Sequence, residues 1–127
     1  MMVVDTSALM AIILDEPHAD ACMAAIERNN DLLLSAGTMA EALIVAGRRE
    51  VEREMTDLIS GLGLEVASVT AASARRIADA YARWGKGVHP AGLNYGDCFA
   101  YELAITRDCP LLFVGDDFSR TDVKQAL

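Results

Sequence analysis

Short, wholly apolar segments separated by longer helical patterns restrict the fold of this chain more than any other feature. The clearest are Met2–Val4, Leu32–Leu34 and Leu111–Val114, and each ends at polar or turn-forming residues. Strands that are apolar on both faces are typical of parallel sheets buried between two layers of helices. We therefore predict an α/β fold, a three-layer α/β/α sandwich around a central, mainly parallel sheet of four to five strands.

Helical patterns fill the spaces between these strands. Helices are predicted around Leu9–Ile13, from Pro17 onwards, after a cap at Thr38, and over Val51–Leu62, Thr70–Trp84 and Asp97–Asp108. A shorter third strand is predicted at Leu64–Val66, and the last residues are expected to form a short edge strand or a tail. No repeat, low-complexity segment or linker interrupts residues 1–127, so we predict a single domain of ordinary size.

The formal net charge of −8 limits the functions that suit this chain. A module that only coats nucleic acid is expected to be basic, so this class of protein is disfavoured. An enzyme that approaches phosphate through bound cations is compatible with the charge. An acidic surface also suits a basic protein partner.

The cysteines and the first residues bear on the compartment. Cys22, Cys98 and Cys109 form no CxxC pair and are odd in number, which favours buried free thiols in a reducing cytoplasm. The first residues lack the basic start of a signal peptide. The apolar run Ala8–Leu14 is too short to span a bilayer. We therefore predict a cytoplasmic protein without membrane contact.

Four acidic residues are predicted at the same edge of the sheet. In a parallel sheet the carboxyl ends of the strands and the amino ends of the helices share one rim, where ligands bind. Asp5 follows the first strand and Asp116 follows the last, while Glu41 and Asp97 fall in the first turns of predicted helices. Each alone has a structural explanation, such as a helix cap, a turn, or a capping box between Thr38 and Glu41.

The four carboxylates together predict a metal site. Converging negative charges raise one another's pKa values unless a cation neutralises them. Mg²⁺ and Mn²⁺ prefer carboxylate oxygen, and two such ions would balance four carboxylates. This arrangement suits phosphodiester hydrolysis, in which one metal activates a water and a second stabilises the leaving oxygen.

Four motifs of the chain resemble those of a known family. They are Val3–Leu9 around Asp5, Ala40–Ala42 around Glu41, Asn94–Tyr101 around Asp97, and Leu111–Phe118 around Asp116. These motifs resemble those of PIN-domain ribonucleases, in particular the VapC toxins of bacterial type II toxin–antitoxin pairs. The resemblance covers almost the whole chain. In the fourth motif Asp116 is the preferred acid, but the adjacent Asp117 stays open as its alternative.

The resemblance implies a PIN-like form of the predicted sandwich and a Mg²⁺-dependent endoribonuclease, with Mn²⁺ as a substitute. It implies that the catalytic and metal-binding residues are Asp5, Glu41, Asp97 and Asp116. It further implies an RNA substrate, a homodimer, and neutralisation by a cognate VapB-like antitoxin protein.

Two other functions stay open from the residues alone. A phosphatase-like hydrolase with an aspartyl nucleophile after the first strand usually has a second acid two residues later, where this chain has Ser7. A non-enzymatic signalling or interaction domain of receiver type would have paired acids after the first strand. Here the pair, Asp116 and Asp117, follows the last strand.

Several neighbouring residues have two readings. Thr6 and Ser7 suit helix capping and also the support of a ligand near Asp5, and Asn94 suits a turn or the orientation of Asp97. Arg75, Arg76, Arg83 and Lys86 are expected to form a solvated helix face rather than an RNA contact. Trp84 and Tyr95 are expected to pack in the core or to anchor the irregular segment Gly85–Tyr95 rather than to stack on a base.

Overall fold

Four parallel strands form the centre of the protein in a computed structural model that describes all 127 residues. The strands are β1 (Met2–Val4), β2 (Leu32–Ser35), β3 (Glu65–Ala67) and β4 (Leu111–Leu112), in the spatial order β3-β2-β1-β4. Every pairing between neighbours is parallel, which confirms the predicted class.

The last strand is shorter than predicted, and the predicted edge strand is reduced to one bridge. Beyond Leu112 the chain leaves β1, and the backbone N–H of Val114 donates to the Ser7 hydroxyl at 3.0 Å. Near the end of the chain, Gln125 forms a single parallel bridge with Leu111. The sheet therefore has four strands rather than five.

Six α-helices connect and cover the strands. They are α1 (Thr6–Ile13), α2 (Ala19–Glu27), α3 (Ala36–Arg48), α4 (Glu52–Gly61), α5 (Ala71–Trp84) and α6 (Tyr95–Arg107), followed by a 3₁₀ turn over Phe118–Arg120. None of these helices is both long and apolar enough to cross a membrane.

The sheet separates two apolar layers, and the alternation of side chains along β1 shows how. Val3 packs with Leu33 in the layer that includes α5 and α6. Met2 and Val4 lie in the opposite layer, with residues of α1, α2, α3 and α4. Each fully buried aliphatic side chain of this kind contributes about 1.5–3 kcal/mol to folding. Helices on both faces of the sheet confirm the predicted three-layer sandwich.

The start of α3 corrects a prediction. The helix begins at Ala36, directly after β2, because the Ser35 side chain caps it by accepting from the backbone N–H of Gly37. The predicted cap, Thr38, is fully buried inside the first turn and is not part of a capping box. Glu41 consequently lies in the second turn of α3 and not in the first.

The start of α6 fixes the orientation of Asp97. Asn94 caps the helix: its side chain accepts from the N–H of Asp97 at 2.8 Å, and the Asp97 carboxylate accepts from the N–H of Asn94 at 3.0 Å. This reciprocal capping box satisfies two backbone donors at the helix start. Asp97 therefore lies in the first turn, as predicted, although α6 begins two residues earlier than predicted.

The two aromatic residues that flank the irregular segment behave differently. Trp84 is buried, and its indole N–H donates to the Tyr101 hydroxyl, which donates to Asp122. This network confirms that Trp84 is an anchor. Tyr95 is 72% exposed, so its predicted anchoring role is wrong.

Two further predictions can be compared with the structure. All three cysteines are free and buried, as predicted. The predicted basic helix face is partly engaged in ion pairs, since Arg76 pairs with Glu102 and Arg83 with Asp122.

Candidate active site

Asp5 joins the end of β1 to the start of α1. As the N-cap, it accepts from the backbone N–H and the hydroxyl of Ser7 through one oxygen, Oδ2, at 3.0 and 2.7 Å. The other oxygen, Oδ1, is buried and has no partner. Burial raises the pKa of Asp5 to about 6, although the Ser7 hydrogen bonds oppose the shift. A buried carboxylate oxygen without a donor is an acceptor that a cation can satisfy.

Asp97 lies near Asp5 and has an even higher proton affinity. Burial is the main cause that raises its pKa to about 7, and the hydrogen bond from the Asn94 N–H opposes this. The negative charges of Asp5, Asp117 and Glu41 raise it further. The carboxylates therefore act on one another from four separate parts of the chain.

Glu41 approaches the same rim from α3. The Thr6 hydroxyl donates to Glu41 Oε1 at 2.6 Å, which ties α3 to the residue that follows Asp5. The charge of Glu41 contributes to the raised pKa values of both Asp5 and Asp97. Glu41 Oε2 occupies the space that a side-chain Cβ at Gly96 would need. The carboxylate thus lies against the first turn of α6, where a helix N-terminus favours negative charge.

The paired acids after β4 lie in an exposed turn. The backbone carbonyl of Asp116 accepts from the N–H and the hydroxyl of Ser119. Asp117 is among the main charges that raise the pKa of Asp97, and Asp116 is not. The preference for Asp116 stays a prediction, and the electrostatics favour its neighbour.

The chemistry of these donors fits a hard divalent cation, but no closed cage is preformed. No three histidine, cysteine, aspartate or glutamate side chains converge closely enough to surround an ion. Mg²⁺ is commonly held by one or two carboxylates, with water and substrate phosphate completing its shell. Asp5 offers an unpartnered oxygen and Asp97 a carboxylate under repulsion from its neighbours, which suits that mode.

Residues 2–124 match the sequence profile of the PIN domain. The chain belongs to the PIN domain family. Curated relatives include the ribonuclease VapC30 of Mycobacterium tuberculosis, which is 42% identical over 125 residues that span 96% of this chain and 95% of the relative. The ribonuclease VapC42 of the same organism is 41% identical over 98% of each chain. These relatives place this PIN-domain chain among the VapC ribonucleases, whose activity is metal-dependent.

Solved structures agree with the fold of this PIN domain. VapC20 of Mycobacterium tuberculosis, described as a sarcin–ricin loop cleaving toxin, superposes with a TM-score of 0.79 at 14% identity over 97% of this chain and 96% of that one. A chain of a toxin–antitoxin complex from Klebsiella pneumoniae gives a TM-score of 0.72 at 15% identity, with 96% of this chain and 93% of that one covered. At these identities the likeness concerns the fold, and it confirms the PIN-like sandwich.

Membership in the PIN family also decides between the functions that the residues had left open. Ser7 lies where an aspartyl phosphatase would have its second acid. Its hydroxyl donates a hydrogen bond to Asp5 and accepts one from the backbone N–H of Val114. The phosphatase-like and receiver-like alternatives therefore have no support in this PIN domain.

Proposed function

We propose that this protein is a metal-dependent endoribonuclease of VapC type and the toxin of a type II toxin–antitoxin pair. The observation that carries the proposal is the unpartnered, buried Oδ1 of Asp5 beside the charges of Glu41 and Asp97. The VapC ribonucleases among its relatives support the same reaction.

Each carboxylate has a specific support in the chain. Ser7 holds Asp5, Thr6 holds Glu41, and the Asn94 cap holds Asp97. These three acids, with Asp117 or Asp116 as the fourth, are proposed to hold one or two divalent cations. When bound, the cations supply the Lewis acidity that activates water and balances charge on the phosphate. The proposed products carry a 5′-phosphate and a 3′-hydroxyl.

The proposed cofactor is Mg²⁺, with Mn²⁺ as a substitute. The donors on the rim are carboxylate oxygens, which hard divalent cations prefer over softer ligands such as thiolates. No histidine lies among the proposed ligands, and all three thiols are buried in the core.

A direct test incubates the purified protein with total RNA in EDTA, and then with excess Mg²⁺, Mn²⁺ or Ca²⁺. Cleavage is expected with Mg²⁺ and Mn²⁺ and not with EDTA, and sequencing of the new ends identifies the target and the terminal phosphate. Cleavage at the same rate in EDTA, or ends that carry a 3′-phosphate, would contradict the proposal.

The proposed partners follow from the toxin assignment. A solved relative from Rickettsia felis is VapBC2 bound to a DNA fragment from its promoter, with 18% identity and a TM-score of 0.72. We propose a VapB-like antitoxin for this chain, and the net charge of −8 suits a basic inhibitory segment. A homodimer, a single domain over residues 1–127 and a cytoplasmic location stay predictions.

Gly96 is expected to set the position of Glu41. In Gly96→Ala the new Cβ would overlap Glu41 Oε2, which lies at the end of a flexible side chain and can move away without unfolding α6. We expect a fall in kcat of about 10- to 100-fold, because small displacements of a site group have effects of this size. Single-turnover cleavage assays measure the rate of cleavage, and thermal unfolding checks separately that the fold is retained.

The matched control for this substitution is Gly61→Ala at the end of α4. A Cβ there meets no atom within 4 Å, so the rate of cleavage should equal that of the parent. If Gly96→Ala also cleaves RNA at the parent rate, the position of the Glu41 carboxylate does not matter for the reaction.

A further inference from the structure

Tyr95 is the most exposed aromatic side chain beside the candidate active site. It is the first residue of α6, two positions before Asp97, and 72% of it is accessible to solvent. Its ring meets Phe99 edge-on, with ring centroids 5.0 Å apart and an interplanar angle of 89°. Phe99 thus supports the ring from within the fold, while most of the Tyr95 side chain faces solvent.

This ring borders a groove that continues into the active site. The groove, which we call the Tyr95 groove, has a volume of about 390 Å³, within the size range of small-ligand sites. It lies between α3 and α6, and its lining includes Glu41, Arg48, Tyr95, Gly96 and Phe99. Glu41 is also one of the proposed metal ligands, together with Asp5 and Asp97. A nucleotide in this groove would therefore lie next to the phosphate at which the RNA is cleaved.

The charge of the groove suits a phosphate at its far end. Arg48, in the last turn of α3, is the one basic residue in the lining. It is exposed and takes part in none of the three ion pairs of the structure. In a chain of net charge −8, a guanidinium that no carboxylate neutralises is available to bind a phosphate.

We propose that the Tyr95 groove binds an unpaired nucleotide of the RNA next to the cleaved phosphate. Its base stacks on the Tyr95 ring, and a backbone phosphate pairs with Arg48. Proteins recognise single-stranded RNA in this way, through aromatic stacking combined with cationic contacts to the backbone. The inference rests on the proposed ribonuclease function and adds two residues of its substrate site, Tyr95 for a base and Arg48 for a phosphate.

The first test measures binding without cleavage. A fluorescent single-stranded oligoribonucleotide is titrated with the full chain in EDTA, and its anisotropy is recorded. Tyr95→Ala is expected to weaken binding by about 5- to 100-fold, the range found for loss of one stacked base. Tyr95→Phe should bind as the parent does. Val88→Ala, which removes an exposed apolar side chain outside this groove, is the control and should also bind normally.

The second test concerns Arg48 and uses salt. Log affinity falls with log salt concentration, and loss of one phosphate contact makes this negative slope shallower by about 0.7 for single strands. Arg48→Ala should show this change, whereas Arg49→Ala, next to it in the sequence but outside the groove lining, should not. A purely structural role of Arg48 would leave the slope unchanged.

The outcomes separate this inference from the proposed function. If the parent cleaves RNA with Mg²⁺ but Tyr95→Ala binds and cleaves a single-stranded substrate like the parent, the groove proposal fails and the nuclease stands. If Tyr95→Ala changes the sedimenting mass and leaves RNA affinity unchanged, the ring contacts another protein copy and the proposal is wrong. If the parent neither binds nor cleaves RNA, both proposals fail.

Discussion

Asp97→Asn is expected to reduce the rate of RNA cleavage by more than about 100-fold while the fold is retained. Substitution of a residue that only hydrogen-bonds to a metal ligand already lowers metal affinity or activity about 10- to 100-fold. Loss of the charge of a proposed ligand should therefore lower the rate further. The fold should survive because the asparagine carbonyl can still accept from the Asn94 N–H and keep the cap of α6. Asp5→Asn should behave in the same way. Single-turnover cleavage and circular dichroism measure the two properties.

The control for these substitutions is Asp57→Asn on α4. It makes the same chemical change at an exposed acid for which no side-chain hydrogen bond or ion pair is present, so cleavage should proceed at the parent rate. If Asp97→Asn and Asp5→Asn both cleave RNA as fast as Asp57→Asn, these acids are not the reacting centre.

The sequence was sufficient to predict where Asp5 and Asp97 lie, because their positions follow from topology. Both lie at the carboxyl edge of a parallel sheet, one directly after β1 and the other in the first turn of α6. That edge is fixed once the strands are known to be parallel, whatever the details of the loops. The same argument predicted that Glu41 lies on this rim, since α3 starts where β2 ends.

Other features depend on local competition that a single sequence does not resolve. Ser35 and Thr38 are both good N-cap residues, and Ser35 caps α3 because it is the last residue of β2 and the helix starts directly after it. The choice between Asp116 and Asp117 depends on the turn at Gly115, whose φ of +109° sets the direction of the chain. Adjacent acids leave that choice open in the sequence.

Close contact between α3 and α6 could not be predicted from spacing. Gly37 leaves room for the Phe99 ring and Gly96 leaves room for the Glu41 carboxylate, so each helix provides a glycine opposite a larger group of the other. The exposure of Tyr95 follows from the same packing, because Phe99 fills the space beside α3. The one sign of this close contact in the sequence was Gly96, which directly precedes the predicted ligand Asp97.

In the absence of metal, the protein is expected to lose stability as pH rises from about 4 to about 7. The pKa of Asp5 is about 6 and that of Asp97 about 7 in the folded chain, whereas the ordinary value is 3.8. Over this interval the unfolded chain releases protons that the folded chain retains, so the free energy of unfolding falls with pH. For Asp5 alone the loss amounts to about 3 kcal/mol, at about 1.4 kcal/mol for each pKa unit.

Urea unfolding in EDTA at several pH values measures this loss, and two further observations assign it to the acidic rim. Asp5→Asn should flatten the pH dependence and raise stability above pH 7, because the amide carries no charge, whereas Asp57→Asn should leave the slope unchanged. Excess Mg²⁺ should stabilise the parent above pH 7 and have little effect near pH 4, since protonated carboxyls are poor ligands. Stability that rises steadily from pH 4 to pH 7 in EDTA would mean that burial and the neighbouring charges do not raise the pKa values of Asp5 and Asp97 in the folded chain. The structural reason for a cation at this edge of the sheet would then be lost.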